Sequence, residues 1–326
     1  MTNPKAEIAM VRASADALRH AIGARFLGQQ GVVDELLVAI VAGGHALVEG
    51  APGTGKTTLA RALAEASELE FKRVQCTPDL LPIDVLGARL PDGAGWRFEQ
   101  GPIFANLVLA DELNRATPRT QAAFLEAMAE GQVTMHGRTY ALPRPFVVVA
   151  TQNPQESEGT YPLPEAQLDR FLLRIDVPFP AEDELAAILA TTSGAQDASS
   201  GVVLPRERLL AARALVREIV VPPLLVELAA RLVRATHPEL VEAPEEVRRL
   251  VRHGASPRAG RDLLLAARAW ALLAGRLHAT QADLERVAKP VLRHRLALSF
   301  EGQAAGARAD DLVEAAWKRA TAGSRT

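Results

Sequence analysis

The sequence predicts an α/β fold, a parallel sheet flanked by helices, followed by an all-α C-terminal domain. Three observations carry this. The apolar runs at 45–49, 107–110 and 146–151 lack the in-out alternation of a half-solvated strand and read as strands buried on both faces, the habit of parallel sheets. The first run leads directly into Gly50-Ala51-Pro52-Gly53-Thr54-Gly55-Lys56-Thr57 and then into the helical pattern Thr58 to Ala64. Strand, glycine-rich loop and helix in that order form a phosphate-binding P-loop. From Glu182 onward the apolar spacing is helical throughout. At 326 residues two domains are expected: an α/β nucleotide-binding domain with N-terminal helices at 1–180, and a helical domain at 181–326.

Composition narrows the class. With 48% hydrophobic and 23% charged residues the chain is an ordinary globular one, and its 4% aromatic content favours helices with small side chains in the core. A net charge of −2 argues against a strongly basic nucleic-acid surface, so nucleic acid is not the expected partner. The single cysteine, Cys76, has no partner for an internal disulfide, and the seven histidines show no zinc-ligand spacing. No run approaches the ~18 apolar residues of a membrane span and the N-terminus has no signal-peptide pattern, which makes the cytoplasm the expected location.

In chain order, residues 6–26 place Ile8, Val11, Ala15, Leu18 and Ile22 at helical spacing. Phe26 to Gln30 then turns into a second helix from Val32 to Ala42, ended by Gly43-Gly44. The turn at Gly28-Gln29 has two readings, a nucleotide contact beside the base or a plain helix-joining turn. In the P-loop, glycines let successive backbone N–H groups converge on phosphate at the helix N-terminus. Gly50, Pro52, Gly53, Thr54, Gly55, Lys56, Thr57 and Thr58 are the candidate nucleotide-binding residues, with Lys56 directed to the β- and γ-phosphates and Thr57 to Mg²⁺. Lysine is scarce in this chain, so a lysine at this position is less liable to be accidental.

A strand is expected over 69–76, then a Pro- and Gly-punctuated section to Gly101 with a small hairpin at 87–98 turning at Asp92-Gly93. The run Leu107 to Ala110 ends in Asp111-Glu112. At the carboxyl end of a parallel strand, these acids would sit beside the P-loop. Asp111 suits Mg²⁺ and Glu112 suits polarising a water, while capping of the next helix is the plainer alternative. Thr117-Pro118 starts that helix, with Gln121, Phe124, Leu125 and Met128 on its inner face and Gly131 at its end. A second hairpin at 133–142 turns at His136-Gly137 and precedes the strand 146–151, which ends in Gln152-Asn153-Pro154. An amide there can hold the water or the γ-phosphate. A short helix (163–171) and a strand (172–177) close the α/β part. Helices are expected at 182–191, 205–219, 222–235, 245–252, 258–275, 280–293 and 309–321, with a mobile polar loop at 193–201.

Taken together, the chain resembles the AAA+ ATPases, and within them the MoxR family. The resemblance is carried by VEGAPGTGKTTLARALA (48–64), ADELNRATPRTQAAFLEAMAEGQVT (110–134), FVVVATQNPQESEGTYPLPEAQLDRFLLRI (146–175), GASPRA (254–259) and VLRHRLAL (291–298). It implies an AAA+ P-loop NTPase core with a helical lid, Asn153 as the sensor 1 residue, Arg170 as an arginine finger offered to a neighbouring subunit, and Arg258 as sensor 2. Arg174 is the rival finger, an ion pair with Asp169 is the plainer role for Arg170, and Arg115 either bridges subunits or is merely solvated. The two hairpins look like the helix 2 insert and the pre-sensor 1 insertion, which usually face the pore or a partner.

The implied function is a Mg²⁺-dependent ATPase (ATP and Mg²⁺ as cofactors) that works as a homo-hexamer on a protein client, remodelling or activating it or inserting a metal or cofactor. Family members commonly work with a von Willebrand factor A domain protein, here expected as a separate chain. The alternative is a related AAA+ motor acting on nucleic acid or as a metal-chelatase subunit. The hairpin tips, Asp92 to Gly95 and His136 to Arg138, are not distinctly basic and argue mildly against a DNA motor.

Overall fold

The computed structural model describes residues 4–93, 95–135, 137–153, 159–191 and 201–322. They form two compact units, one made of Ala13–Leu163 and Ile175–Ala211, the other of Met1–Arg12, Pro164–Arg174 and Ala212–Thr326.

The chain opens with α1 (Pro4–Gly23) and α2 (Gln30–Ala42). Gly43, at φ 79°, returns its N–H to the α2 carbonyls and stops the helix. Next come β1 (Ala46–Gly50), α3 (Lys56–Ala66), β2 (Phe71–Gln75), a one-turn α4 (Pro82–Leu86) and the antiparallel hairpin of β3 (Gly87–Asp92) and β4 (Gly95–Gln100). After β5 (Leu107–Asp111) and a single 3-10 turn at Leu113–Arg115, α5 (Pro118–Glu130) begins with Thr117 at the N-cap position. The Thr117 hydroxyl meets that of Thr120 at 3.2 Å instead of capping the backbone. The second hairpin, β6 (Gln132–Met135) and β7 (Arg138–Ala141), leads to β8 (Val147–Gln152), α6 (Glu165–Leu168), β9 (Leu173–Val177) and α7 (Glu182–Thr191). His136, Ala94, Pro154 and residues 193–200 of the loop expected over 193–201 lie outside the described residues.

Five strands form one sheet in the order β2-β5-β8-β1-β9. The pairings β2 with β5, β5 with β8 and β8 with β1 are all parallel. All five residues of β5 are buried, which is why it reads as an unbroken apolar run. The register sets Glu49 beside Gln152 and Gln75 beside Asp111, so the carboxyl ends of β1, β2, β5 and β8 come out level. In a doubly covered parallel sheet that edge is where a ligand crevice forms.

The second unit is mainly helical: the end of α8 (Arg206–Glu218), then α9 (Pro223–Ala235), α10 (Glu245–Leu250), α11 (Pro257–Leu273), α12 (Gln281–Leu292), α13 (Phe300–Ala304) and α14 (Ala309–Ala322). One element departs from the expected pattern. The helix expected over 245–252 stops at Leu250, and β10 (Val251–His253) pairs antiparallel with β11 (Ala297–Leu298). Ser299 N–H donates to the Leu250 carbonyl at 2.9 Å, so a distant segment takes over the backbone bonding at the helix end.

Candidate active site

Gly50, the last residue of β1, has no room for a side chain: a Cβ there would lie 2.8 Å from the Val177 carbonyl oxygen. At Gly55, φ is 84° and the Phe26 ring would stand 3.2 Å from a Cβ, so the loop needs glycine for both conformation and space. Phe26 therefore packs against the P-loop. The adjoining Gln29 is tied down through its N–H to Glu184 Oε1 (3.0 Å) and its amide to the Pro178 carbonyl (2.9 Å). The Lys56 ammonium lies back over the loop, donating to the carbonyls of Gly50 (2.7 Å) and Ala51 (2.8 Å).

Opposite the loop, the end of β5 carries the two acids. Asp111 Oδ1 accepts a 2.6 Å bond from the buried Thr151 hydroxyl, and Oδ2 faces the Thr57 hydroxyl at 3.4 Å. Glu112 stands in the left-handed region at φ 56°, an uncommon conformation for a residue with a side chain. Its N–H donates to the same Thr151 hydroxyl at 2.8 Å, so one side chain from β8 fixes both acids. The Glu112 carboxylate accepts from the Gln75 amide at 3.0 Å and meets Arg115 at 3.5 Å. Arg115 and Glu112 are thus an ion pair of neighbours three apart in sequence.

Lys56, Thr57, Asp111, Glu112 and Asn153, drawn from three separate stretches of sequence, line one pocket of about 340 Å³ together with Pro52 to Gly55, Thr58 and Gln152. Asn153 is buried at the end of β8. A glycine-rich loop, a helix N-terminus and a lysine are groups that can receive a polyanion. The Thr57 hydroxyl and Asp111 Oδ2 are hard oxygen donors of the kind that Mg²⁺ takes alongside waters and phosphate oxygens, so the residues present fit that ion. Among the described residues no three His, Cys, Asp or Glu side chains gather into a metal cluster elsewhere.

Arg170 and Arg258 belong to the second unit. Arg170 is exposed just after α6, and Arg174 is half-buried in β9. The residue before Arg170, Asp169, is held by Arg295 Nε (2.9 Å) and the Ser256 hydroxyl (3.1 Å), with Arg258 Nη1 3.7 Å away. Arg295 also donates to Asp262 at 2.5 Å and to the Phe171 carbonyl at 2.9 Å. Asp169 thus has its short ion-pair contact with Arg295, 126 residues further along the chain, where sequence alone offers the adjacent Arg170.

Three residues at the pocket escaped sequence reasoning: Thr151, Gln75 and Arg73, the last of which pairs with Asp111 Oδ2 at 2.7 Å. The only hint was that Arg73 and Gln75, two apart in a strand, share a face. Cys76, buried just beyond, has its thiol pushed up to about 12 by burial and by the neighbouring charges of Asp111 and Glu112.

Comparison with known proteins agrees with this architecture. Residues 45–173 match the family model described as ATPase family associated with various cellular activities (AAA), and residues 244–316 match the AAA lid domain. The chain is 40% identical over 280 residues to Chaperone MoxR1 of Mycobacterium tuberculosis, covering 85% of this chain and 74% of that one. It is 35% identical over 291 residues to Protein MoxR of Paracoccus denitrificans, covering 84% and 85%. A crystal structure of a candidate ATPase from Cytophaga hutchinsonii superposes with a TM-score of 0.89 at 34% identity, covering 96% of both chains. With an AAA core, an AAA lid and MoxR relatives aligned over most of its length, the chain belongs to the MoxR family of AAA+ ATPases.

Proposed function

We propose that the chain binds Mg²⁺–ATP in the pocket at the sheet edge and hydrolyses it to drive remodelling of a protein client. The observation that carries this reading is the convergence of Lys56, Thr57, Asp111, Glu112 and Asn153 on one pocket. In this reading the P-loop N–H groups and Lys56 hold the phosphates, with Thr57 and Asp111 holding the metal directly or through its waters. When bound, Mg²⁺ supplies charge to neutralise the phosphate oxygens. Glu112 orients and deprotonates the attacking water, and Asn153 fixes that water or the γ-phosphate. Lys56 must leave the carbonyls of Gly50 and Ala51 to meet phosphate, so nucleotide binding exchanges two neutral acceptors for an anion.

Arg170 serves as the finger for the neighbouring subunit and Arg258 as the sensor of its own subunit's nucleotide, which makes a homo-hexamer the working form. The name of the Mycobacterium tuberculosis relative, a chaperone, supports a protein client. A separate von Willebrand factor A domain protein is the expected partner. Remodelling, activation and metal or cofactor insertion are the outcomes open to such a motor. A nucleic-acid or metal-chelatase motor is the second reading.

The test is steady-state ATP hydrolysis per chain as protein concentration rises through the micromolar range. Specific activity that climbs and saturates supports a site completed between subunits. Flat activity from a chain that sizes as a monomer refutes a trans finger. In the same assay Lys56→Ala is expected to lose nucleotide binding, and Glu112→Gln to bind ATP yet turn it over very slowly. Arg170→Ala is expected to keep ATP affinity and lose turnover. If Arg174→Ala alone behaves that way, the finger is Arg174.

A further inference from the structure

Asp111 already carries a cation supplied by the chain itself. Arg73 lies on β2, the edge strand beside β5, and both its Nε (3.0 Å) and its Nη2 (2.7 Å) donate to Asp111 Oδ2. That is the oxygen facing the Thr57 hydroxyl, whereas Oδ1 is taken by Thr151. A metal, or a water bound to it, that reaches Asp111 on the Thr57 side must therefore compete with Arg73.

The two partners of Asp111 differ in how easily they can leave. Thr151 is fully buried and also holds the Glu112 N–H, so its removal would strand two groups. The Arg73 side chain is 45% exposed, and its guanidinium can return to water with little desolvation to reverse. While it stays, it neutralises a carboxylate whose side chain is only 10% exposed and would otherwise be buried uncompensated. Arg73 Nη2 also donates to Gln75 Oε1 at 2.6 Å, and Nε2 of the same side chain donates to Glu112, so the arginine is linked to both acids.

We propose that Arg73 is a positioning residue that acts as a resident counter-cation, holding the metal-facing oxygen of Asp111 until Mg²⁺ arrives with nucleotide and then yielding it. The inference rests on the reading of the pocket as a Mg²⁺–ATP site. Its consequence is that the chain sets its own metal requirement: the stronger the Arg73–Asp111 pair, the more Mg²⁺ is needed to load the site.

The test uses Mn²⁺ in place of Mg²⁺, another divalent cation suited to oxygen ligands. The full-length chain is titrated with Mn²⁺ in the presence of a non-hydrolysable ATP analogue, and free Mn²⁺ is read by electron paramagnetic resonance. Affinity for a fluorescent analogue in EDTA is measured in parallel. Arg73→Met is expected to bind Mn²⁺ about three- to tenfold more tightly than wild type, the range of a half-exposed, charge-assisted pair. Its metal-free nucleotide affinity should not change, which a merely structural role would not spare. Arg73→Lys, which keeps the charge beside Asp111 and loses the fork, should fall between the two and serves if the methionine variant does not fold. In an Asp111→Asn background the effect of Arg73→Met should vanish. Mn²⁺ affinity equal within about twofold in wild type, Arg73→Met and Arg73→Lys, or weaker in the variants, would overturn the inference while leaving the nucleotide site standing. Wild type that binds neither the analogue nor Mn²⁺ would overturn the nucleotide reading, and the inference with it.

Discussion

Replacing Thr151 with valine keeps the β-branched shape and removes one hydroxyl. That hydroxyl donates to Asp111 Oδ1 at 2.6 Å and accepts the Glu112 N–H at 2.8 Å, at a position with no solvent exposure. Valine leaves a carboxylate oxygen and a backbone N–H without this partner. A buried group orphaned in this way costs about 1–3 kcal/mol, so the pair should cost roughly 2–6 kcal/mol of stability. At about 2–4 °C per kcal/mol for a domain of this size, the melting temperature should fall by roughly 5–25 °C. Activity should suffer separately, because Glu112 keeps its φ of 56° with that bond in place. Losing a bond of about 1.5–3 kcal/mol from the catalytic geometry predicts ATP turnover reduced about ten- to hundredfold. The assays are thermal unfolding by circular dichroism and steady-state hydrolysis on the same preparation. Thr151→Ser is the control, since it keeps the hydroxyl and loses a methyl worth about 1 kcal/mol. If valine and serine variants unfold together and both turn over normally, the hydroxyl does not hold the two acids and the account of the site is wrong.

Arg295→Met removes the buried guanidinium shared by Asp169 and Asp262 and is expected to cost about 3–5 kcal/mol in urea unfolding; a loss under about 1 kcal/mol would mean the cluster is not a structural hub. Burial pushes the Asp283 carboxyl up, but bonds from Arg276 and from the Thr280 hydroxyl and N–H outweigh it and leave the group below its ordinary 3.8. A carboxyl whose folded value is depressed adds stability above its unfolded value and loses it as pH falls through the folded one. Asp283→Asn should therefore cost about 1–2 kcal/mol near neutral pH, with the gap to wild type closing as pH falls below the ordinary carboxyl value; a gap independent of pH would show that the charge is not what matters. Cys76, with its thiol pushed up to about 12, should resist alkylation at pH 8 in the folded chain and react readily in urea, and fast labelling of folded protein would contradict its burial.

Much of the fold was legible because its signals are local. The P-loop is contiguous, the central strands announce themselves as unbroken apolar runs, and α5 is bracketed by Thr117-Pro118 and Gly131. The lid was harder at one point: Val251 to His253 continues a helical pattern, and its partner strand lies more than forty residues away at Ala297–Leu298. Tertiary pairing overrode local preference there.

The candidate site divides along the same line. The residues proposed here for chemistry on phosphate, Lys56, Thr57, Asp111, Glu112 and Asn153, could be picked out from sequence alone, because each sits in a motif or at the end of a readable strand. Tertiary structure alone decided who holds them. That Thr151 ties Asp111 to Glu112, that Gln75 and Arg73 reach the acids from the edge strand, and that Asp169 belongs to Arg295 are facts of strand order and register and of side chains brought together from distant segments. Local propensity decides which element a residue joins, but the pairing between β2, β5 and β8 depends on burying the whole sheet at once, and no short stretch of sequence encodes it.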